Sequence, residues 1–517
     1  MTYAGAQTTI TSGILLLVIL SYMVILNIPL VADDYYWFSP SVTEDCWTYF
    51  FRDMLPNDPD ALFLRPLPIL VFSLESHLQG LSPLLPRILN VSFHLLTTAL
   101  VGLLITLPGR KGKTTGRDMF ALVTGMLIFA LHPQATGAVC WVSALFDLMC
   151  GFFGAAGVYA WLSSTSKSHF SCRRLLAILA FALSILSKET GVIFPVAIFL
   201  WQLWLLASDS DRTARNSRII AASQLSILLV AYFVYRISVL GGMGGYSHFR
   251  FGYLNLSDPA GYGLVMFWPF AHMGPVPSMA IYCTLVAVGA GMVWAANWMN
   301  GVWDHPRKYP WVLPLLLGVL PLGLFLPSRG FLTIRQVLEH AEARYSYVSL
   351  ISFAILMAWL FERCRDLRAG RWITPAFLTV FLCFLSWGQQ VEISRWAKAG
   401  RMAESILTQT VALVPSPNDN AALIFHGIPL GSERWYYVFG MGLPEALSQR
   451  YGRSDLQVVR WPERDVFENP PDNSYILKFD HTRSTMELIH PPEPHDVEKR
   501  VRQANQLEAI LEWYDKH

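Results

Sequence analysis

Residues 11–34 read TSGILLLVILSYMVILNIPLVADD, an apolar run that ends in two adjacent carboxylates, Asp33 and Asp34. A helix needs about 20 apolar residues to cross the hydrocarbon core of a bilayer, so this run is long enough to span it. A carboxylate buried there without a partner is costly. The acidic pair at the mouth of a membrane helix therefore indicates the acidic centre of a functional site. The plain alternative is a polar exit from the helix.

The composition of the whole chain predicts a membrane protein. Of 517 residues, 53% are hydrophobic and only 15% are charged, with 18 Trp and 31 Phe. This is more apolar surface than a soluble core of that size needs, so we predict a polytopic, all-α membrane protein. We expect the lipid bilayer, and no nucleic acid, as a partner. The seven cysteines have no metal-ligand spacing, and we interpret them as packing residues.

Apolar stretches long enough to cross a bilayer predict about eleven transmembrane helices. Their approximate limits are 11–31, 85–107, 119–133, 143–162, 175–188, 191–207, 219–240, 278–298, 311–327, 346–361 and 372–388. The remaining chain has more charge and proline. We predict a membrane domain over residues 1–390 and a small α/β domain over 391–517, with helices at 394–412 and 444–451 and strands at 422–428, 456–461 and 474–479.

Lys and Arg orient the predicted spans. Sixteen of them lie in five alternate short loops, and such loops face the cytoplasm in membrane proteins. We therefore predict that the N-terminus is inside, that the first span is a retained signal-anchor, and that the C-terminal domain is outside. With this topology the polar residues Asp33-Asp34, Arg65, Asp147, Lys188-Glu189 and 339–344 all fall on the outer side. Their one-sidedness predicts an outward-facing site.

The first outer loop, residues 32–84, is long and rich in aromatic and apolar residues, which is typical of a functional connection. Helical apolar spacing at 44–55 and 65–80 predicts two interfacial helices. They either wall a lipid-accessible groove or only pad the bundle. A later outer loop, the glycine-rich run 241–245, is interpreted as a flexible gate.

Six motifs come in an order that resembles a known family. They are VADDYYW at 31–37, RPLP at 65–68, NVSFH at 90–94, HPQATGAVCWVS at 132–143, LSKETG at 186–191 and AEARYSY at 341–347. The chain resembles the membrane protein O-mannosyltransferases that carry tetratricopeptide repeats, over residues 1–390. It departs from them in lacking the repeats and in having Leu145 where the family usually has an arginine.

The resemblance implies a GT-C fold and a bacterial inner or plasma membrane location. It also implies transfer of a sugar, mannose in the family, from a polyprenyl-phosphate carrier to a hydroxyl of a protein or glycan acceptor. Asp33 takes the place of the general base, which deprotonates the acceptor while the anomeric carbon is attacked with inversion. Asp34 then orients Asp33, contacts the acceptor, or joins Asp33 in holding a divalent cation, Mg or Mn.

The leaving phosphate needs cations, and a guanidinium suits bidentate phosphate contacts. Arg344, with Tyr345 beside it, is the first candidate for substrate binding, followed by Arg65 and Lys188. Asp147 and Glu189 are candidate acidic contacts. For each charge the alternative is an interfacial side chain that snorkels to water or pairs with a neighbour. We interpret His94 and His132 as structural residues.

Two other functions stay open on the sequence. A polytopic transporter or flippase of a lipid-linked sugar or solute would favour ionisable residues near the bilayer midplane and repeated halves, whereas the charges here cluster at one interface. A non-catalytic scaffold would need no outward acidic pair.

Overall fold

The computed structural model describes residues 3–55, 61–80, 82–107, 116–164, 171–208, 211–246, 343–366, 370–432, 436–439, 442–460 and 473–489. The predicted spans 278–298 and 311–327, and the cations Arg307 and Lys308, lie outside these ranges. The chain divides into two compact units. The helical unit comprises Met1–Asn27 and Ser41–Ser394, and the sheet unit comprises Ile28–Pro40 and Arg395–His517. The segment that holds Asp33 and Asp34 thus belongs to the sheet unit.

Helices dominate the described residues. In chain order they are α1 (Tyr3–Tyr22), α2 (Asp34–Trp37), α3 (Pro40–Thr43), α4 (Pro66–Gln79), α5 (Leu84–Thr106), α6 (Gly116–Leu131), α7 (Pro133–Cys140), α8 (Leu145–Leu162), α9 (Cys172–Ser187), α10 (Ile193–Ser208), α11 (Arg212–Leu240), α12 (Tyr347–Asp366), α13 (Gly370–Leu413) and α14 (Leu443–Tyr451). Short 3-10 helices lie at Met23–Asn27, Cys46–Phe50, Val142–Ala144, Glu189–Val192 and Ala343–Ser346.

Seven helical segments of the described chain are long and apolar enough to cross a membrane. They are Gln7–Asn27, Leu84–Thr106, Val142–Leu162, Glu189–Ala207, Arg212–Leu240, Ala343–Arg365 and Arg371–Leu413. The pair Met119–Leu131 and Pro133–Cys140, bent by 55°, raises the count to as many as eight. The bend falls at Pro133, whose ring ends one helix and starts the next. All eight coincide with predicted spans, whereas the total of eleven stays a prediction.

Two helix predictions differ from the structure. The predicted interfacial helix at 44–55 is only the 3-10 helix Cys46–Phe50, because the side chain of Asp53 accepts a hydrogen bond from the Phe63 amide at 2.6 Å and turns the chain instead. The predicted helices 372–388 and 394–412 form the single helix α13, since no proline interrupts the chain between them. The predicted helix at 65–80 is confirmed as α4.

Helix α8 lies at the centre of the helical unit, packed against α5, α9, α10 and α12. Glycines recur along it at positions 151, 154 and 157, and an added Cβ at each would lie under 3.0 Å from a ring carbon of Tyr347, Phe194 and Phe181 respectively. Small residues let membrane helices approach closely without a hydrophobic driving force. The close packing fixes the start of α8, and with it the side chain of Asp147.

The sheet unit holds a four-stranded sheet in the order β4-β3-β5-β6. Its strands are β3 (Ala422–His426), β4 (Gln457–Val459), β5 (Ser474–Asp480) and β6 (Thr485–Ile489), with β3 parallel to β4 and β5, and β6 antiparallel to β5. Strands β1 (Ala61–Leu62) and β2 (Gly245–Tyr246) form a separate antiparallel pair in the helical unit. Three predicted strands and helix α14 lie where the sequence placed them, and β6 was missed.

Candidate ionic site in the helical unit

The structure brings the six predicted substrate-binding residues together. Arg65 donates two hydrogen bonds to the carboxylate of Glu189, from Nε at 2.7 Å and from Nη2 at 2.5 Å. Lys188 Nζ lies 2.5 Å from Asp147 Oδ1 and 4.5 Å from the ring centre of Tyr345. Lys188 also interacts with the charges of Arg65, Arg344 and Glu189. We name Arg65, Asp147, Lys188, Glu189 and Arg344 the ionic cluster.

Helix starts position two members of the ionic cluster. Arg65 is the residue before α4, where Pro66 takes the first helical position, as proline prefers. Asp147 lies in the first turn of α8, where the helix dipole favours a negative charge. The backbone that carries each of these two side chains is therefore fixed by the start of a helix.

A break between helices presents Lys188 and Glu189. Helix α9 ends at Ser187, and Lys188 is extended with φ −160° and ψ 142° before the next 3-10 turn begins. Gly191 lies so close to the backbone of Ser184 that an added Cβ would come within 2.5 Å of its carbonyl carbon. The tight return sends the two adjacent side chains to different partners, Lys188 to Asp147 and Glu189 to Arg65.

Arg344 is held by aromatic rings. Its guanidinium carbon lies 3.9 Å from the ring centre of Trp141, and its Nη2 donates to the Tyr345 hydroxyl at 3.1 Å. The 3-10 turn that carries it packs on α7, where an added Cβ at Gly137 would lie 3.1 Å from the Arg344 nitrogen. Stacking on Trp141 fixes the plane of the guanidinium, and so the direction of its donors.

Exposure differs across the ionic cluster. The Lys188 and Asp147 side chains are 4% and 5% exposed, while those of Arg65 and Glu189 are 13% and 22% exposed. Arg344 and Tyr345 are also only partly buried. Three cations and two carboxylates leave an excess of one positive charge. The more open side of the cluster therefore suits an anion.

Sequence reasoning missed two neighbours of the ionic cluster. Trp141 stands within a quoted motif but was given no role. Arg236, in the apolar run of α11, is buried and donates to the Met243 carbonyl at 2.6 Å and to the Tyr232 hydroxyl at 3.0 Å. Its charge acts on Glu189. Its bond to Met243 and the pairing of Gly245 with Leu62 give the glycine-rich run contacts with the helical unit, and the gating role of that run stays a prediction.

Asp33 and Asp34 belong to the sheet unit, and their side chains differ. Asp34 is fully buried, and its Oδ2 accepts a hydrogen bond from the Val31 amide at 3.0 Å. Asp33, the residue before α2, is partly exposed and interacts with the charge of Arg460. Asp34 thus bonds the backbone just before Asp33, and its orienting role stays a prediction. No group of three or more His, Cys, Asp or Glu able to hold a metal ion occurs among the described residues, and the cation at Asp33 and Asp34 stays a prediction.

Other singled-out residues have structural partners. His94 lies buried, with Nδ1 3.1 Å from the Tyr347 hydroxyl and Nε2 3.2 Å from the Ala130 carbonyl oxygen. His132 accepts from the Gln134 amide at the start of α7. Tyr436 is buried against Trp396, with ring centres 5.6 Å apart. Both histidines thus have hydrogen-bond partners within the protein, as expected of structural residues, and Tyr436 belongs to a packed aromatic pair.

The described fold is of the GT-C type. ArnT from Cupriavidus metallidurans, bound to undecaprenyl phosphate, is 11% identical, with a TM-score of 0.50 over 93% of this chain and 94% of the ArnT chain. At this identity the likeness concerns the fold alone, and it confirms the fold that the motif order implied. No family model and no curated protein sequence matches the chain.

Two further solved structures are less similar. Oligosaccharyltransferase AglB from Archaeoglobus fulgidus, in complex with an inhibitory peptide and a dolichol-phosphate, is 11% identical, with a TM-score of 0.47 over 90% of this chain and 69% of AglB. The protein O-mannosyltransferase Pmt1-Pmt2 complex of S. cerevisiae, bound to the sugar donor, is 15% identical, with a TM-score of 0.34 over 46% of this chain and 34% of that chain. The fold assignment rests on ArnT.

Proposed function

We propose that this protein is an integral membrane glycosyltransferase. It moves a sugar from a polyprenyl-phosphate carrier to an acceptor hydroxyl on the extracytoplasmic side of the membrane, with inversion at the anomeric carbon. The observation that carries the proposal is the ionic cluster, where distant parts of the chain bring three cations and two carboxylates together beside aromatic rings. The undecaprenyl phosphate bound to ArnT, which has this fold, supports a lipid phosphate as the carrier.

The ionic cluster binds the phosphate of the donor. Arg344 supplies planar paired donors, and its stacking on Trp141 removes the need to order the side chain when the lipid binds. Arg65 contributes charge at the more open side, while Glu189 holds its guanidinium in place. Lys188, sealed against Asp147, adds a positive field rather than a direct contact.

The chemistry needs one proton acceptor. The acceptor oxygen attacks the anomeric carbon, the bond from that carbon to the phosphate oxygen breaks, and polyprenyl phosphate leaves. Asp33 takes the proton of the attacking hydroxyl as general base. The phosphate is stabilised as it leaves by the positive field of the cluster, so no acid is required. Mannose and a protein or glycan acceptor are the sugar and partner that the sequence resemblance implies.

The test uses purified protein and a panel of polyprenyl-phosphate sugars, with release of free polyprenyl phosphate as the readout. One donor should release the lipid phosphate in step with sugar transfer. Asp33→Asn should abolish release while leaving membrane insertion and donor binding intact. The control Asp45→Asn alters an exposed carboxylate of the first outer loop and should retain activity. Movement of the lipid across vesicles without phosphate release would instead favour a flippase.

A further inference from the structure

Asp33 follows a strained residue. Ala32 has φ +47°, in the left-handed region that residues with a Cβ rarely adopt. Such a conformation persists only where the surroundings enforce it. The groups that hold Ala32 therefore also set the direction in which the next residue, Asp33, leaves the chain.

Two residues of the sheet unit hold Ala32. Its amide donates to the carbonyl oxygen of Val438 at 2.8 Å. On the other side, Gly442 approaches the carbonyl oxygen of Ala32 so closely that an added Cβ would lie well under 3.0 Å from it. Gly442 itself has φ +86°. Glycine is thus required there for its backbone angle and for the space it leaves.

Further contacts hold the residues on either side of Ala32. Gly400 of α13 faces Ile28, where an added Cβ would lie 2.6 Å from the Ile28 side chain. After the turn, α2 packs on α14, and the ring of Tyr35 lies 6.2 Å from that of Phe439. The segment carrying Asp33 is therefore held on both sides by residues that follow it by about four hundred positions.

We propose that Val438 and Gly442 are positioning residues for Asp33, so that the sheet unit aims the general base of the reaction. This inference rests on the proposed function and gives the sheet unit a role in the transfer step. Neither residue touches the reacting atoms; both act through the backbone of Ala32.

Arg460, at the end of β4, gives the sheet unit a second effect on Asp33. Burial lowers the pKa of Arg460 to about 10, while the negative charge of Asp33 acts in the opposite direction. The interaction favours the ionised form of Asp33, which a general base needs. Other charged groups at this segment are Asp34, next in the chain, and Glu404 and Arg450, whose charges act on Tyr35.

The decisive comparison is Gly442→Ala against Gly452→Ala. The two glycines flank the same helix, α14, and both are left-handed, with φ +86° and +64°. Both substitutions therefore carry similar backbone strain. Only Gly442 faces Ala32, because an added Cβ at Gly452 meets nothing within 4 Å.

Gly442→Ala should lower kcat on the order of 100-fold at unchanged donor KM, the effect of displacing a catalytic group by about 1 Å. Gly452→Ala should keep kcat near wild type. Hydrogen exchange of amides 28–40 gives a readout without activity, and it should accelerate in Gly442→Ala only. Unchanged exchange would show that Gly442 does not restrain the segment around Ala32. Faster exchange with unchanged kcat would show that the restraint does not position Asp33. A wild-type protein that releases no lipid phosphate would refute the proposed function. The exchange comparison would still show whether Gly442 restrains the segment around Ala32.

Arg460→Gln keeps the inference testable if Gly442→Ala fails to fold. Loss of the guanidinium should raise the pKa of the acidic limb of the kcat/KM profile, and Arg460→Lys should restore it. Arg453→Gln, at an arginine that pairs with Asp455 and Asp419, serves as the control and should leave the limb in place. An acidic limb that does not move in Arg460→Gln would overturn the role of the sheet unit in tuning Asp33.

Discussion

The buried pair Lys188–Asp147 allows a quantitative prediction. At the observed 2.5 Å, two unit charges in a medium of effective dielectric constant about 20 attract by about 7 kcal/mol. Desolvation of two ions costs several kcal/mol each, so the pair as a whole adds little to stability. Removing one partner leaves the other charge buried. We therefore expect Asp147→Leu or Lys188→Met alone to lower the free energy of unfolding by about 3–5 kcal/mol.

The double variant separates stability from function. Asp147→Leu with Lys188→Met replaces both ions by apolar groups and should restore stability to within about 1–2 kcal/mol of wild type. Unfolding titrations in mixed micelles measure the double-mutant cycle. The same cycle on the Arg450–Glu404 pair, whose side chains are 39% and 38% exposed, should give a coupling of about 0.2–1 kcal/mol.

Lys188→Met alone should lose more transfer activity per folded molecule than the double variant, because it removes one positive charge from the ionic cluster, whereas the double variant removes Lys188 and Asp147 together and leaves the net charge unchanged. The loss in free energy of unfolding in the double variant could instead equal the sum of the losses in the two single variants. That additive result would refute the assignment of a buried pair. Equal activity per folded molecule in Lys188→Met and in the double variant would exclude a role for the charge of Lys188 at the phosphate site.

Two further predictions concern packing and pH. Gly154→Ala should lower the free energy of unfolding by about 1–3 kcal/mol, since its Cβ would overlap the ring of Phe194. The control is Gly13→Ala in α1, where an added Cβ meets nothing within 4 Å. It should leave the free energy of unfolding unchanged in the same titration. Hydrogen bonds from Arg453 and from the Asn420 amide hold the pKa of Asp455 well below its usual range. The stability this gives is present above the unfolded pKa of about 3.9 and is lost as the pH falls through the folded value, so Asp455→Asn should lower thermal stability at pH 7 and much less near pH 2.

The sequence identified the residues of the ionic cluster but not which of them pair with each other. Lys188, Glu189 and Arg344 stood out because charges recur at span ends on one predicted side. Arg65 and Asp147 stood out for the same reason, but the pairing did not, since Arg65 and Glu189 are 124 positions apart and Lys188 and Asp147 are 41 apart. Only folding shows that the two neighbours Lys188 and Glu189 turn to different partners.

Other features lacked a readable signal. A single arginine within an apolar run, such as Arg236, has the same pattern as a snorkelling residue, and only the structure shows its buried contacts. The 44 residues of α13 were divided because their polarity changes near residue 390, but polarity does not end a helix without a backbone cause. Strand β6, by contrast, alternates polar and apolar residues from Thr485 to Leu488, so its pattern was readable and was overlooked.

The measurement that tests the central claim most directly is the affinity of purified protein for polyprenyl phosphate, compared between wild type and Arg344→Gln. A charge-assisted contact contributes about 1.5–3 kcal/mol, so the dissociation constant should rise by about 10- to 150-fold in the variant. Arg363→Gln, at an exposed arginine near the end of α12, should bind like wild type. Equal affinity in wild type and Arg344→Gln would contradict the assignment of the ionic cluster as the site of the lipid phosphate.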